Sequence, residues 1–63
     1  MSTTLKKIFW LAVDASDISY SIWESAQSLA MALERGQITE AEALEQLAEL
    51  TADLAEAEAE VAS

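Results

Sequence analysis

The sequence predicts an all-α protein, an antiparallel two-helix hairpin that self-associates into a four-helix bundle. Three observations lead there. The 63 residues include one glycine and no proline and are 52% hydrophobic, a composition that favours helix and is unlike that of a disordered acidic tail. The lone glycine falls in Glu34-Arg35-Gly36-Gln37-Ile38-Thr39-Glu40-Ala41-Glu42, which reads as a helix stop followed at once by a helix start. On both sides of that turn, apolar residues recur at alternating steps of three and four.

Helix 1 is expected over residues 4–35. At roughly 100° per residue, Leu5, Ile8, Leu11, Ala12, Ala15, Ile18, Ser19, Ile22, Trp23, Ala26, Leu29, Ala30 and Leu33 fall within an arc of roughly 140°. Asp14, Ser16, Asp17, Ser19 and Ser21 favour caps and turns over helix interiors, because their side chains compete for backbone hydrogen bonds. They mark the place where helix 1 is most prone to break. The apolar phase runs straight through them, however, so a continuous helix is expected.

The turn spans residues 36–39. Gly36 suits the left-handed conformation that ends a helix, with Arg35 favourably placed in the final turn. Thr39 then serves as N-cap, with Glu42 three residues on in capping-box spacing and Ile38 as the preceding staple residue. Helix 2 follows over residues 40–62. Its Ala43, Leu47, Leu50, Leu54, Ala57 and Val61 form a coiled-coil-like heptad seam. Antiparallel pairing about this turn brings the end of helix 2 opposite Val13, so the first dozen residues, with Phe9, Trp10 and Leu11, are expected to project beyond the hairpin.

A chain this short seldom builds a sufficient core alone. With no cysteine and no histidine, disulfides are excluded and structural zinc lacks its usual ligands. Self-association, as a homodimer, is the expected remedy, with Ile18, Ile22, Leu29, Leu47, Leu50 and Leu54 in the hairpin and oligomer core. A second apolar stripe on helix 1 (Phe9, Val13, Tyr20, Met31, with Trp23 bridging to the main face and Trp10 apart) is too wide for one neighbouring helix to cover. It is expected to be a contact surface, since aromatic residues and methionine are common interface anchors.

The net charge of −9 is unevenly spread. Up to Arg35, four acids face three bases; from Gly36 onward there are eight acids and no base. Direct binding to nucleic acid is not expected, because affinity there comes from lysine and arginine neutralising phosphates. Anionic membrane surfaces are disfavoured for the same reason. The apolar run Ile8–Val13 is too short for a membrane anchor or signal segment, so a soluble, cytoplasmic protein is expected.

Glu42, Glu45, Glu49, Asp53, Glu56 and Glu60 follow steps of three and four and form one acidic face. Each like-charged pair a turn apart costs a few tenths of a kcal/mol on an isolated helix, and lysines at alternate positions would have removed that cost while keeping solubility. The face covers 18 residues, about 27 Å at roughly 1.5 Å per residue, or one charge per 4 to 5 Å. Duplex DNA carries about one charge per 1.7 Å of axis, and two copies side by side would approach that density.

No catalytic residue is identified. The chain lacks histidine, cysteine and a glycine-rich phosphate loop, and carboxylate acid–base chemistry needs two acids in contrasting environments. No cofactor and no dedicated metal site is expected. The sequence therefore points to a non-enzymatic, protein-binding regulator or inhibitor whose acidic face occludes a basic, nucleic-acid-binding surface of a partner, either as a nucleic-acid mimic or by binding a basic helix or tail without mimicry. Its size and charge are compatible with those of small acidic inhibitors from bacteriophages and mobile elements. The alternative is a homo-oligomeric scaffold or assembly protein whose acid only solvates it.

Overall fold

The computed structural model describes residues 2–62 and contains three helices: α1 (Thr3–Ala15), α2 (Tyr20–Glu34) and α3 (Glu40–Ala62). The continuous helix expected over residues 4–35 is thus divided at Ser16–Ser19. Local hydrogen bonding accounts for the division. The Ser16 Oγ donates to the Val13 carbonyl at 2.7 Å, capturing an acceptor that a continuing helix would use. Backbone bonds from Ile18 and Ser19 to the Ala15 carbonyl close the last turn. Ser19 then takes extended dihedrals (φ −147°, ψ 108°), and its hydroxyl accepts from the Ile22 N–H as the N-cap of α2. Ser2 caps α1 in the same manner, its Oγ accepting from the Leu5 N–H at 3.1 Å.

The second turn matches the expectation in detail. Gly36 has φ +72° and is the one residue with positive φ among those described. The Gly36 N–H donates to Leu33 and the Gln37 N–H to Ala32, the paired bonds of a Schellman ending. Thr39 and Glu42 then form the reciprocal capping box: the Glu42 N–H donates to Thr39 Oγ1 at 3.1 Å, while the Thr39 N–H donates to Glu42 Oε1 at 3.0 Å.

With two short turns and each helix packed on the other two, α2 runs antiparallel to α1 and α3. The core is built from Leu5, Ile8, Leu11, Ala12 and Ala15 of α1, Ala26, Leu29 and Ala30 of α2, and Ala43, Leu47 and Leu54 of α3. Ile18, Ile22 and Leu50, expected in the core, are half-buried and pack along its margin. Alanines from all three helices (Ala12, Ala15, Ala26, Ala30 and Ala43) interleave with the larger leucines and isoleucine of this core.

The largest departure from expectation concerns α1. It does not project beyond a hairpin; it folds back and supplies the most completely buried large side chain, Ile8 at 0% exposure. The C-terminal end of α3 projects instead. At about 1.5 Å per residue its 23 residues span about 34 Å against about 22 Å for α2, consistent with a molecule 39 Å long and 17 Å across. The heptad seam accordingly loses cover toward its end, where Val61 is 72% exposed.

Replacing Ile8 by alanine should destabilise the fold by about 2 to 5 kcal/mol, the usual range for truncating a buried isoleucine. For a domain this small that loss abolishes the cooperative melt seen by circular dichroism. An unchanged melt would mean that α1 is not part of the core.

Candidate functional site

The acidic face lies on the longest helix. Glu42, Glu45, Glu49, Asp53, Glu56 and Glu60 are all exposed, and α3 contains no lysine or arginine. Helical phase turns this face away from the Ala43–Leu47–Leu54 seam that meets the core. The six are not chemically equivalent, because Glu42 is committed to the capping box. Its Oε1 accepts from both the Thr39 N–H and the Thr39 hydroxyl, and these bonds hold its carboxyl below the usual carboxylate range, the backbone bond first and the hydroxyl bond second. Five carboxylates remain without a structural assignment.

Beside the acidic face runs a shallow, open groove of about 390 Å³ between α2 and α3, lined by Glu24, Ser25, Ser28, Leu29, Ala32, Ile38 and Gln46. Sequence reasoning missed it. Ser25 and Ser28 sit one turn apart on α2, and with Glu24 they make a polar surface flanking the α3 contact. That spacing was legible, but its facing Gln46 became visible only once α2 and α3 were paired.

The apolar stripe assigned to one helix is distributed over two. Phe9, Trp10 and Val13 belong to α1, and Tyr20, Trp23 and Met31 to α2. Phe9 and Trp23 are half-buried against the core, whereas Trp10 is 69%, Val13 60% and Tyr20 70% exposed. The Tyr20 and Trp23 rings lie 5.3 Å apart between centroids at a tilt of 36°. Trp10 occupies the middle of the outward face of α1, with Lys6 and Lys7 one turn before it and Val13 and Asp14 one turn after.

Among the described residues no cluster of three or more histidine, cysteine or carboxylate side chains is arranged to hold a metal ion. No described helix is long and apolar enough to cross a membrane. No family model, curated protein or solved structure matches the chain.

The Glu42 carboxyl supplies a pH test. Its folded-state value is lowered from the reference of 4.5, so its contribution to stability is present above pH 4.5 and is lost as pH falls through the folded value. Glu42→Ala should lower the melting temperature at pH 7, and the gap from wild type should shrink as pH falls below 4.5. A gap independent of pH would show that the ionised carboxylate is not what the cap requires.

Proposed function

We propose that the protein is a non-enzymatic binding module whose α3 acidic face engages a basic surface on another protein and occludes that surface from nucleic acid. One observation carries the reading: a single unbroken helix displays six exposed carboxylates along about 27 Å with no base among them. Charges arranged in this way raise the encounter rate with a positive surface and give the contact its register. The adjoining polar groove on α2 and α3 extends the same side with hydroxyl and amide groups able to meet a partner's hydrogen bonds.

A second reading, self-association into a structural or assembly unit, is supported by the exposed aromatic residues. Trp10 and Tyr20 are left largely open on a 63-residue chain, and aromatic residues of this kind are common interface anchors. With three helices per copy, such a dimer is a six-helix assembly in place of the four-helix bundle expected from two hairpins.

The test leaves Glu42 in place so that the turn stays capped. Wild type and a variant carrying Glu45→Gln, Glu49→Gln, Asp53→Asn, Glu56→Gln and Glu60→Gln are used as bait in nuclease-treated lysate, at about 0.1 M and about 1 M salt, where the screening lengths are about 10 Å and 3 Å. Any captured protein is then assayed for nucleic-acid binding with and without the wild-type chain. The proposal expects capture by wild type at low salt, release at high salt, no capture by the variant, and inhibition of the captured protein's nucleic-acid binding. Equal capture by both baits at both salts would overturn it.

A further inference from the structure

We propose that the outward face of α1 is a self-complementary interface through which two copies pair antiparallel about Trp10, leaving both acidic faces free. The inference rests on the second reading above and names its surface.

The core uses Leu5, Ile8, Leu11, Ala12 and Ala15, so the opposite face of α1 consists of Lys6, Lys7, Trp10, Val13 and Asp14, all exposed. Trp10 is at its centre. Lys7 and Asp14 lie seven residues apart, hence on the same edge two turns from one another, and Lys6 and Val13 are related in the same way on the other edge. A twofold axis crossing α1 near Trp10 therefore superimposes opposites. Lys7 of each copy meets Asp14 of the other, the methylene stem of Lys6 covers the other copy's Val13, and the two Trp10 rings meet. A parallel arrangement would set Lys7 of each copy against Lys6 of the other and leave Asp14 against Val13, so the charge order selects the antiparallel one.

The wider charge distribution selects α1 over α3. Eight of the twelve acids lie beyond Gly36, and a contact between two α3 faces would bring those charges together. The acidic face and the outer face of α1 lie on different helices, and each turns away from the core, so pairing through α1 does not bring the acidic faces into contact. The dimer is then bivalent, with an acidic face on each flank; it does not merge them into one denser array.

Area is sufficient for a modest affinity. Aromatic side chains bury roughly 150 to 250 Å² each, and Trp10 and Val13 are 69% and 60% exposed. With the lysine stems, the surface falls at the small end of specific interfaces, below about 600 Å² per copy. A dissociation constant in the micromolar range is expected.

Sedimentation equilibrium from about 1 μM to 1 mM tests the proposal, with far-UV circular dichroism as the control for folding. A dimer of twice the 6.8 kDa chain mass is expected. Trp10→Ala should weaken it about thirtyfold, as expected for an interface hot spot. Lys7→Asp and Asp14→Lys alone should each weaken it about tenfold, since two pairs change per dimer, and the two together should restore association. The five-site acidic variant should still dimerise. A wild-type chain monomeric up to 1 mM would overturn self-association itself. A wild-type dimer indifferent to Trp10→Ala, or a charge swap without rescue, would retain self-association but overturn the α1 interface.

Discussion

The fold depends on the hydrogen bonds that end α1 and begin α2. Between Ala15 and Tyr20 the chain must stop one helix, reverse and start another without proline or glycine. Two serines accomplish this: Ser16 takes a carbonyl from the end of α1, and Ser19, in extended conformation, offers its hydroxyl to the first turn of α2. Serine suits both tasks because its short side chain reaches the backbone of its own segment. The reversal lets α1 bury Leu5, Ile8 and Leu11 within the same chain. Without it, those residues would lie on an unsupported helix, and α2 and α3 alone would supply only five buried apolar residues besides Leu29 and its margin-packed neighbours.

Folding α1 inward also sorts the surface by chemistry. The bases Lys6 and Lys7 and the exposed aromatic Trp10 come to lie on one side, and the carboxylates of α3 on another. Since like charges a turn apart oppose helix formation, α3 needs its core seam and its capping box to remain helical. The capping box does so by engaging a member of the acidic row itself. Glu42 is therefore both the first carboxylate of the face and the residue that anchors the helix displaying it.

Much of this was legible in the sequence, for identifiable reasons. Gly36, Thr39 and Glu42 act through bonds among near neighbours, so residue type and spacing sufficed to place the turn. The apolar seam and the acidic face of α3 follow from periodicity alone, although periodicity could not show that α3 outruns its neighbours and leaves Val61 open. The break at Ser16–Ser19 was harder. Its residues were recognisable as weak helix formers, but Ala15, Ile18 and Ile22 keep the helical phase across it, and phase carries no information about whether the backbone between them is continuous. The groove lined by Glu24, Ser28 and Gln46 is a tertiary feature: the Ser25–Ser28 spacing is visible in the sequence, but nothing within one segment sets Gln46 opposite it.

The reversal at Ser16–Ser19 is most directly tested by a distance. The chain has no cysteine, so single cysteines at the exposed positions Thr3 and Gln37 can carry spin labels for a pulsed dipolar measurement, with labelled protein diluted into unlabelled protein to isolate the distance within one chain. If α1 folds back, its start lies near the second turn, and the separation should be comparable to the 17 Å cross-section of the molecule plus the label arms. A helix continuous from residue 3 to the turn would separate the two sites by about 50 Å at roughly 1.5 Å per residue. A distribution centred near that longer distance would contradict the account.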